Sequence, residues 1–381
     1  MLDRSTVARL RDADTAGHPV VSIYLGLGPD LDELRSIAPR LKSLVHPLRE
    51  AAGEWGGEAG RGLRHDLERV VALADRVAAD LGRGAALFVC SAAGMEEHIS
   101  LPAPVRDRAI VDANPYLGPL EAMLAHFRRY CAVVVDRRRA SIYRFYMGGL
   151  EAWEEMAEEA VRKRNFAGFA GYAEHRARGR AGEVARRHFR RVAARLAELA
   201  RAGEFDLLAV GGNQGNVAGL VAELPPDLAA LLAGTFVIDT RAATAADIRD
   251  RCEALAQDHE AGLDEQLVAD LMDAAGGRGR GALGLDRVLE AANQHAIELL
   301  LLDAGDVVPG VACPSCGWLA RSGAVCPGCG TSTRRVADLY DAAAEAARAG
   351  GGRVRYVLAD TPLAHFEAGA VVRFPVVPAG D

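Results

Sequence analysis

The chain has 381 residues, half of them hydrophobic and a quarter charged, a composition typical of a folded protein with two or three domains. The net charge of −7 excludes a protein that coats nucleic acid with its whole surface. No run of about 18 apolar residues is present, which excludes a membrane-spanning helix. The charged N-terminus has no apolar signal-peptide core, so we expect a cytoplasmic protein.

The first predicted domain is an α/β domain over residues 1–125. The apolar run at 20–25 predicts a buried strand that ends at Gly26. Residues 31–50 and 63–81 have helical spacing, and 85–90 predicts another short strand. Residues 110–119 contain Asn-Pro and Gly-Pro pairs, which predict a linker and place the first domain boundary nearby.

The second predicted domain covers residues 126–240. Two apolar segments at 131–136 and 140–146 predict a hairpin. After Trp153 the hydrophobic periodicity is lost until about residue 182, where a long amphipathic helix is predicted to begin. A strand at 207–210, a glycine-rich turn, a helix at 217–223 and a strand at 235–239 complete this domain.

The third predicted domain covers residues 241–381. The sequence predicts helices over 244–275, 285–295 and 336–348, and strands over 297–302, 354–358 and 371–376. Alternating helices and short strands favour α/β layers in every domain. The predicted fold class is therefore α/β with three domains.

Four cysteines in two Cys-x-x-Cys pairs, nine residues apart, predict a zinc ribbon at 311–333 formed by Cys313, Cys316, Cys326 and Cys329. Each pair places two thiolates on one side of a tight turn, and two pairs complete a tetrahedral four-sulfur shell with no open position. A structural zinc ion is therefore the expected cofactor. The alternatives are iron in the same cage and a redox dithiol. A redox pair would open a helix, whereas the proline and glycine residues here favour turns.

A basic segment at 162–195 is opposed only by Glu174 and Glu183. Its second part predicts a helix that buries an apolar face and exposes arginines. Its first part, 165–182, mixes glycine, aromatic residues and arginine, and predicts a mobile loop able to order on RNA. The predicted RNA-binding residues are Arg176, Arg178, Arg180, Arg186, Arg187, His188, Arg190 and Arg191. A merely solvated basic face is the alternative.

Segments 205–212, 284–291 with 296–301, and 353–358 with 361–367 occur in an order that resembles one known family. The chain is similar to the bacterial branch of the archaeo-eukaryotic peptide-chain release factor superfamily, the Pelota- and Balon-like proteins, over residues 127–381. The resemblance implies an RNase H-like central domain. It also implies a C-terminal domain like that of the kink-turn-binding proteins, carrying the zinc ribbon as an insertion.

The chain departs from the family pattern at one important place. Release factors carry Gly-Gly-Gln just before the long helix, whereas residues 175–183 contain no glutamine, so no catalytic residue is carried over. Gly211-Gly212-Asn213-Gln214 is not that motif, because it follows a strand after the helix.

The resemblance therefore implies a ribosome-associated translation factor that binds the ribosomal A site in hibernation or rescue. Its expected partners are ribosomal RNA, tRNA and a translational GTPase that binds the C-terminal domain. The alternative is a peptidyl-tRNA hydrolase or an RNA-cleaving enzyme that uses Glu174, His175, Glu183 and His188 for acid–base chemistry.

Overall fold

The computed structural model describes residues 2–27, 36–53, 55–79, 82–126, 128–147, 149–157, 170–276, 279–303 and 307–376. The chain divides into two compact units, one formed by Met1–His126 with Asp264–Asp381 and the other by Phe127–Leu263. The domain limits near 125 and 240 stay predictions. Within the described ranges, no helix combines the length and the apolar character needed to cross a membrane.

The N-terminal part of the first unit is an antiparallel sheet with helices on it. Its strands are β1 (Val20–Gly26), β2 (Gly84–Cys90), β3 (Met95–Leu101) and β4 (Arg108–Asp112), in the order β3-β2-β1-β4. Its helices are α1 (Arg4–Arg11), α2 (Ile37–Val45), α3 (Leu48–Ala51), α4 (Gly57–Ala72) and α5 (Ala74–Ala78), and α6 (Gly118–His126) follows the sheet. Apolar residues of α2 and α4 pack against β1 and β2.

Strand β4 corrects the predicted linker at 110–119. Val20 to Tyr24 of β1 pair with Asp112 to Arg108, so the linker begins only after Asp112. The Asn-Pro and Gly-Pro pairs lie beyond the end of this strand. Part of the predicted helix at 31–50 also lies outside the described residues.

The second unit is built on a five-stranded sheet. Its strands are β5 (Tyr130–Val135), β6 (Arg139–Tyr146), β7 (Gly149–Ala157), β8 (Leu207–Gly212) and β9 (Leu232–Val237), in the order β7-β6-β5-β8-β9. Strand β6 is antiparallel to both of its neighbours, whereas β8 is parallel to β5 and β9. This mixed order, with the first hairpin at one side and two parallel strands at the other, is the RNase H-like topology that the resemblance implies.

Three helices accompany this sheet: α7 (Ala170–Arg201), α8 (Gln214–Val221) and α9 (Pro226–Ala229). Buried residues of α7, including Phe189, Val192 and Leu196, cover one sheet face together with α8. The first part of α10 (Ala245–Gly276) covers the opposite face through Ile248 and Cys252.

Two predictions for this unit were wrong. Residues 154–157, in the stretch predicted to lack periodicity after Trp153, belong to edge strand β7, in which no residue is fully buried. Helix α7 begins at Ala170, so the predicted loop at 165–182 is helical from that residue onward. Alanine and arginine are strong helix formers, and they outweigh a cost of about 1 kcal/mol for each glycine. The loop residues before Ala170 lie outside the described part of the chain.

The C-terminal part of the first unit is a mixed sheet with its own helices. Strands β10 (Gly281–Leu283), β11 (Ile297–Asp303), β15 (Arg353–Val357) and β16 (Ala368–Val372) have the order β10-β16-β11-β15. Helices α11 (Leu285–Asn293) and α12 (Leu339–Ala349) pack on it around Leu300 and Ala343. Between β11 and α12, strands β12 (Gly310–Ala312), β13 (Leu319–Ala320) and β14 (Arg334–Val336) form the ribbon that carries the four cysteines. The predicted α/β fold class is confirmed.

Polar contacts join the N-terminal and C-terminal parts of this unit. The Tyr116 hydroxyl donates to Asp338 over 3.0 Å, and Arg334 forms an ion pair with Asp112 at 2.9 Å. The Tyr356 hydroxyl donates to Glu121 over 3.1 Å, and Arg348 pairs with the same carboxylate. Buried polar groups with hydrogen-bond partners fix a specific mutual arrangement.

Candidate functional site

The four cysteines lie on two turns of matching geometry. In the first, the Gly317 amide donates to the Cys313 carbonyl over 3.0 Å, and the Cys313 amide donates to Trp318 over 2.7 Å. In the second, Gly330 donates to Cys326 over 3.0 Å and Cys326 donates to Thr331 over 2.9 Å. Gly317 and Gly330 have φ of 76° and 73°, a conformation that glycine adopts without strain.

The sulfur atoms are close enough to share one metal ion. All four lie within 4.8 Å of one another, and the Cys313–Cys329 and Cys316–Cys326 Sγ distances are 3.4 and 3.5 Å. A tetrahedral site with metal–sulfur bonds of about 2.3 Å places sulfurs about 3.8 Å apart. The residues therefore fit a four-coordinate ion held by thiolates, which is a closed structural centre.

Thr331 supports the thiolate form of Cys329. Its Oγ1 lies 3.3 Å from the Cys329 Sγ. Hydrogen bonds from the Thr331 hydroxyl and amide lower the pKa of the Cys329 thiol to about 6. A cysteine binds a metal ion as the thiolate, so this contact favours Cys329 as a ligand.

The ribbon is joined to the C-terminal sheet domain through helix α11. The Asn293 side chain donates to the Leu319 carbonyl over 2.9 Å and accepts from the Leu319 amide over 2.7 Å. Arg321 and Asp286 form an ion pair at 2.6 Å. The four cysteines thus belong to an insertion attached to a packed domain, and a metal ion held by all four thiolates would have no open position for a substrate.

The second candidate site is the outer surface of α7. Ala185, Phe189 and Val192 are buried, while Arg186, Arg187, Arg190 and Arg191 are exposed one helical turn apart. We call these four residues the arginine face. Their guanidinium groups can bind phosphate groups in bidentate fashion.

An acidic residue that the sequence did not predict lies beside the arginine face. Glu223 follows α8 and contacts two arginines through their Nε atoms: Arg190 at 2.9 Å and Arg186 at 3.7 Å. The Glu223 side chain is 21% exposed, against 60% and 61% for the two arginines. The hydrogen bond with Glu223 raises the pKa of Arg190. The sequence carried no signal for this contact, because Arg190 and Glu223 are 33 residues apart in the chain.

A glycine brings α8 close enough to α7 for this contact. A Cβ atom on Gly219 would lie 2.6 Å from Cε2 of Phe189, nearer than real side chains approach. Phe189 is buried and lies one residue from Arg190 on the same helix. Close packing at Gly219 therefore sets the position of Glu223 against the arginines.

The other predicted contact residues do not all lie on this surface. The side chains of Arg176, Arg178 and Arg180, with those of Glu174 and His175, fall outside the described residues. The prediction for His188 was wrong, because it is 1% exposed and belongs to the buried side of α7. His188 lies three residues from Ala185 and four from Val192, so its helical spacing already assigned it to that side. Glu183 is exposed, whereas His188 is buried, so the two side chains do not share one surface.

The segment Gly211-Gly212-Asn213-Gln214 has a packing role. The ring of Phe236 lies where a Cβ on Gly211 would be, and Gly212 has φ of 143° at the end of β8. The Asn213 side chain accepts from the Gly215 amide over 3.1 Å and caps α8.

Residues 115–257 match the family model described as bacterial archaeo-eukaryotic release factor family 10. This range contains the whole central sheet, α7 and α8. The resemblance predicted from the sequence is confirmed over this range. No curated protein matches the chain.

Three solved structures are similar to parts or most of the chain at low identity. A ribosome-bound archaeal Pelota, in a structure with ABCE1, has 19% identity and a TM-score of 0.44, over 74% of this chain and 73% of that one. Dom34 of S. cerevisiae has 11% identity and a TM-score of 0.42, over 75% of each chain. The archaeal termination factor aRF1 has 17% identity and a TM-score of 0.26, over 97% and 98%. With TM-scores this low, these likenesses establish nothing about function.

Proposed function

Residues 115–257 match the model of bacterial archaeo-eukaryotic release factor family 10, and from this match we propose that the protein is a ribosome-binding factor of the A site. In this proposal the arginine face of α7 contacts RNA close to the peptidyl-transferase centre or the tRNA stem. The protein acts in hibernation or rescue and does not hydrolyse the peptidyl-tRNA bond itself.

The observation that carries the proposal is the position of the arginine face inside the matched segment. The four arginines are exposed on a helix whose other side is anchored in the sheet. A rigid cationic helix supplies phosphate contacts with little conformational cost on binding. The overall charge of −7 confines this affinity to a local surface and disfavours indiscriminate RNA binding.

The absence of Gly-Gly-Gln supports a factor that binds without hydrolysis. Residues 175–183 contain no glutamine, and Gly211 and Gly212 are occupied in sheet packing. The buried position of His188 removes one member of the acid–base set that the hydrolytic alternative requires.

The C-terminal domain and its ribbon complete the proposal. The metal is zinc, because a closed four-thiolate shell is the usual structural zinc site. Zinc holds the ribbon in one conformation, and the domain that carries it binds a translational GTPase. The protein works in the cytoplasm, where ribosomes and reduced thiols are both present.

Co-sedimentation with ribosomes tests the proposal. A variant with Glu at positions 186, 187, 190 and 191 is compared with one that has Lys at the same positions. The Lys variant keeps the charge and retains most of the binding at low salt, whereas the Glu variant loses it. Circular dichroism checks that both variants remain folded.

Salt dependence separates specific phosphate contacts from a general charge effect. Each arginine that neutralises a phosphate contributes about 0.7 to 0.9 to the slope of log affinity against log salt. Replacement of all four by Gln therefore lowers that slope by about 3 units. Wild-type protein that fails to sediment with ribosomes at moderate salt would defeat the proposal.

A further inference from the structure

We propose that Glu223 is a specificity-determining residue that orients Arg186 and Arg190 as a paired phosphate clamp and restrains their binding to RNA in general. This inference rests on the proposed function and adds a regulatory element to the same surface. Glu223 is outside the predicted RNA-binding residues and lies just after the end of α8, whereas those residues belong to α7.

The geometry places the carboxylate behind the guanidinium groups. Both ion-pair contacts use Nε, the guanidinium nitrogen nearest the helix, at 2.9 and 3.7 Å. The Nη atoms of each arginine are therefore farther from Glu223 than Nε is. Since the arginine side chains are about three times as exposed as Glu223 (60% and 61% against 21%), the outer edge of each guanidinium is presented to a ligand.

The spacing of the two arginines suits a polymer of phosphates. Arg186 and Arg190 lie one turn apart on α7, which is about 6 Å along the helix axis. The carboxylate hydrogen-bonds to Arg190 and forms a longer ion pair with Arg186, so it orients two binding groups one helical turn apart. A phosphodiester backbone that runs along the helix can contact both arginines, whereas a single small anion can contact only one of them.

Glu223 has two opposing effects on RNA affinity. Its negative charge repels phosphate, and this repulsion opposes the binding of any RNA. Its contact with the guanidiniums reduces the side-chain entropy lost when an RNA of the right shape binds. An irregular single strand experiences mainly the repulsion, whereas the cognate ribosomal site benefits from the orientation. Glu223 therefore raises the ratio of specific to non-specific affinity.

The test compares wild type and Glu223→Gln on two probes, purified ribosomes and single-stranded polyuridylate. The variant is expected to bind polyuridylate about threefold more tightly, with a steeper salt dependence, and to bind ribosomes no more tightly than wild type. In a background of Arg186→Gln and Arg190→Gln, Glu223→Gln is expected to lose its effect on both probes.

Glu198→Gln is the matched control, because Glu198 is an exposed acid on α7 that pairs with Arg195 at 3.1 Å, away from the clamp. It makes the same change of charge and is expected to affect both probes equally. An equal rise on both probes for Glu223→Gln, or no change on either, would overturn the inference. Absence of ribosome binding by wild type would instead defeat the proposed function, and the coupling measured on polyuridylate would still decide whether Glu223 acts through the two arginines.

Discussion

Asp338 shows how a single residue links two parts of the first unit. It is 6% exposed and accepts hydrogen bonds from the Tyr116 hydroxyl, the Tyr340 amide and the Val308 amide at 3.0, 3.1 and 3.3 Å. Burial raises the pKa of Asp338 above its ordinary value, although these hydrogen bonds oppose the change. The carboxyl therefore caps α12 at an electrostatic cost that depends on pH.

Asp338→Asn is expected to change the pH dependence of stability. Because the folded pKa is raised, the stability contributed by Asp338 is complete below the unfolded pKa of about 3.9 and is lost as the pH rises through the folded pKa. Asparagine keeps one oxygen that can accept these hydrogen bonds, and it cannot ionise. The Tm of the variant minus that of wild type should therefore become more positive as the pH rises above about 4, and should level off once the folded carboxyl is fully ionised.

Asp227→Asn, at an exposed helix end, is the control and should show no such trend. Thermal unfolding at a series of pH values provides the measurement. A Tm difference for Asp338→Asn that does not vary with pH would contradict this account of the residue.

Cys313→Ser is expected to remove the metal and to destabilise the ribbon. A serine hydroxyl is a poor substitute for a thiolate, and the three remaining cysteines leave the shell open. The measured zinc content should fall from about one ion per chain to nearly none. The Tm should also fall, because metal binding supplies folding free energy. Ser315→Ala, in the same turn, should keep the metal. Purified wild type without a metal, or with iron, would contradict the zinc assignment.

At the residue scale, what could be predicted depends on sequence distance. The four cysteines are predictable because their ligand spacing is local, and the structure brings all four together. The exposure of Arg187 and Arg191 follows from helical periodicity. The same rule predicts that His188 is buried, but histidine among arginines suggested a phosphate contact instead. Glu223 has no local signature, since its partners are set by the packing of two helices.

At the element scale, the contact between α7 and α8 determines how the arginine face is presented. Phe189 fills the space left by Gly219, so the two helices approach closely at that point. Glu223 is the residue that this approach carries to Arg190. A small shift of α8 would therefore alter the electrostatics of the surface without touching an arginine.

Gly219→Ala is expected to destabilise the protein by about 1–3 kcal/mol, because the added methyl group overpacks the buried ring of Phe189. Gly215→Ala is the matched control on the same helix, where the nearest atom to the added Cβ is Asn213 Oδ1 at 3.7 Å. The control should be neutral or stabilising, since alanine is the better helix former. Denaturant unfolding compares the two, and equal stability of both variants would contradict the packing argument.

The elements that sequence predicted well are those with one clearly buried face. Strands β1, β2, β5 and β8 are almost wholly buried, and their apolar runs identified them within a few residues. Strands β4 and β7 were missed because both expose much of their side-chain surface. The beginning of α7 was missed because glycines in the basic segment suggested a loop.

At the scale of the whole molecule, charge is distributed unevenly. The chain is acidic overall, yet its exposed α7 surface is basic and is held on the central sheet. The ribbon and the Asp338 cap belong to the other unit. The sequence could predict this division of tasks in outline, because the cysteine pattern and the arginine run are separate along the chain. The sequence could not predict that the chain forms two units, one of them built from both ends of the chain. Pairing between distant segments has no local sequence signal.

Site-specific crosslinking to the ribosome tests the central claim most directly. A photoreactive amino acid at position 187, on the arginine face, is expected to crosslink to large-subunit RNA near the peptidyl-transferase centre. The same group at position 61, on an exposed side of α4, serves as the comparison and should give a different RNA contact or none. Crosslinks from position 187 that map elsewhere on the ribosome, or their absence while the protein still sediments with ribosomes, would contradict the account.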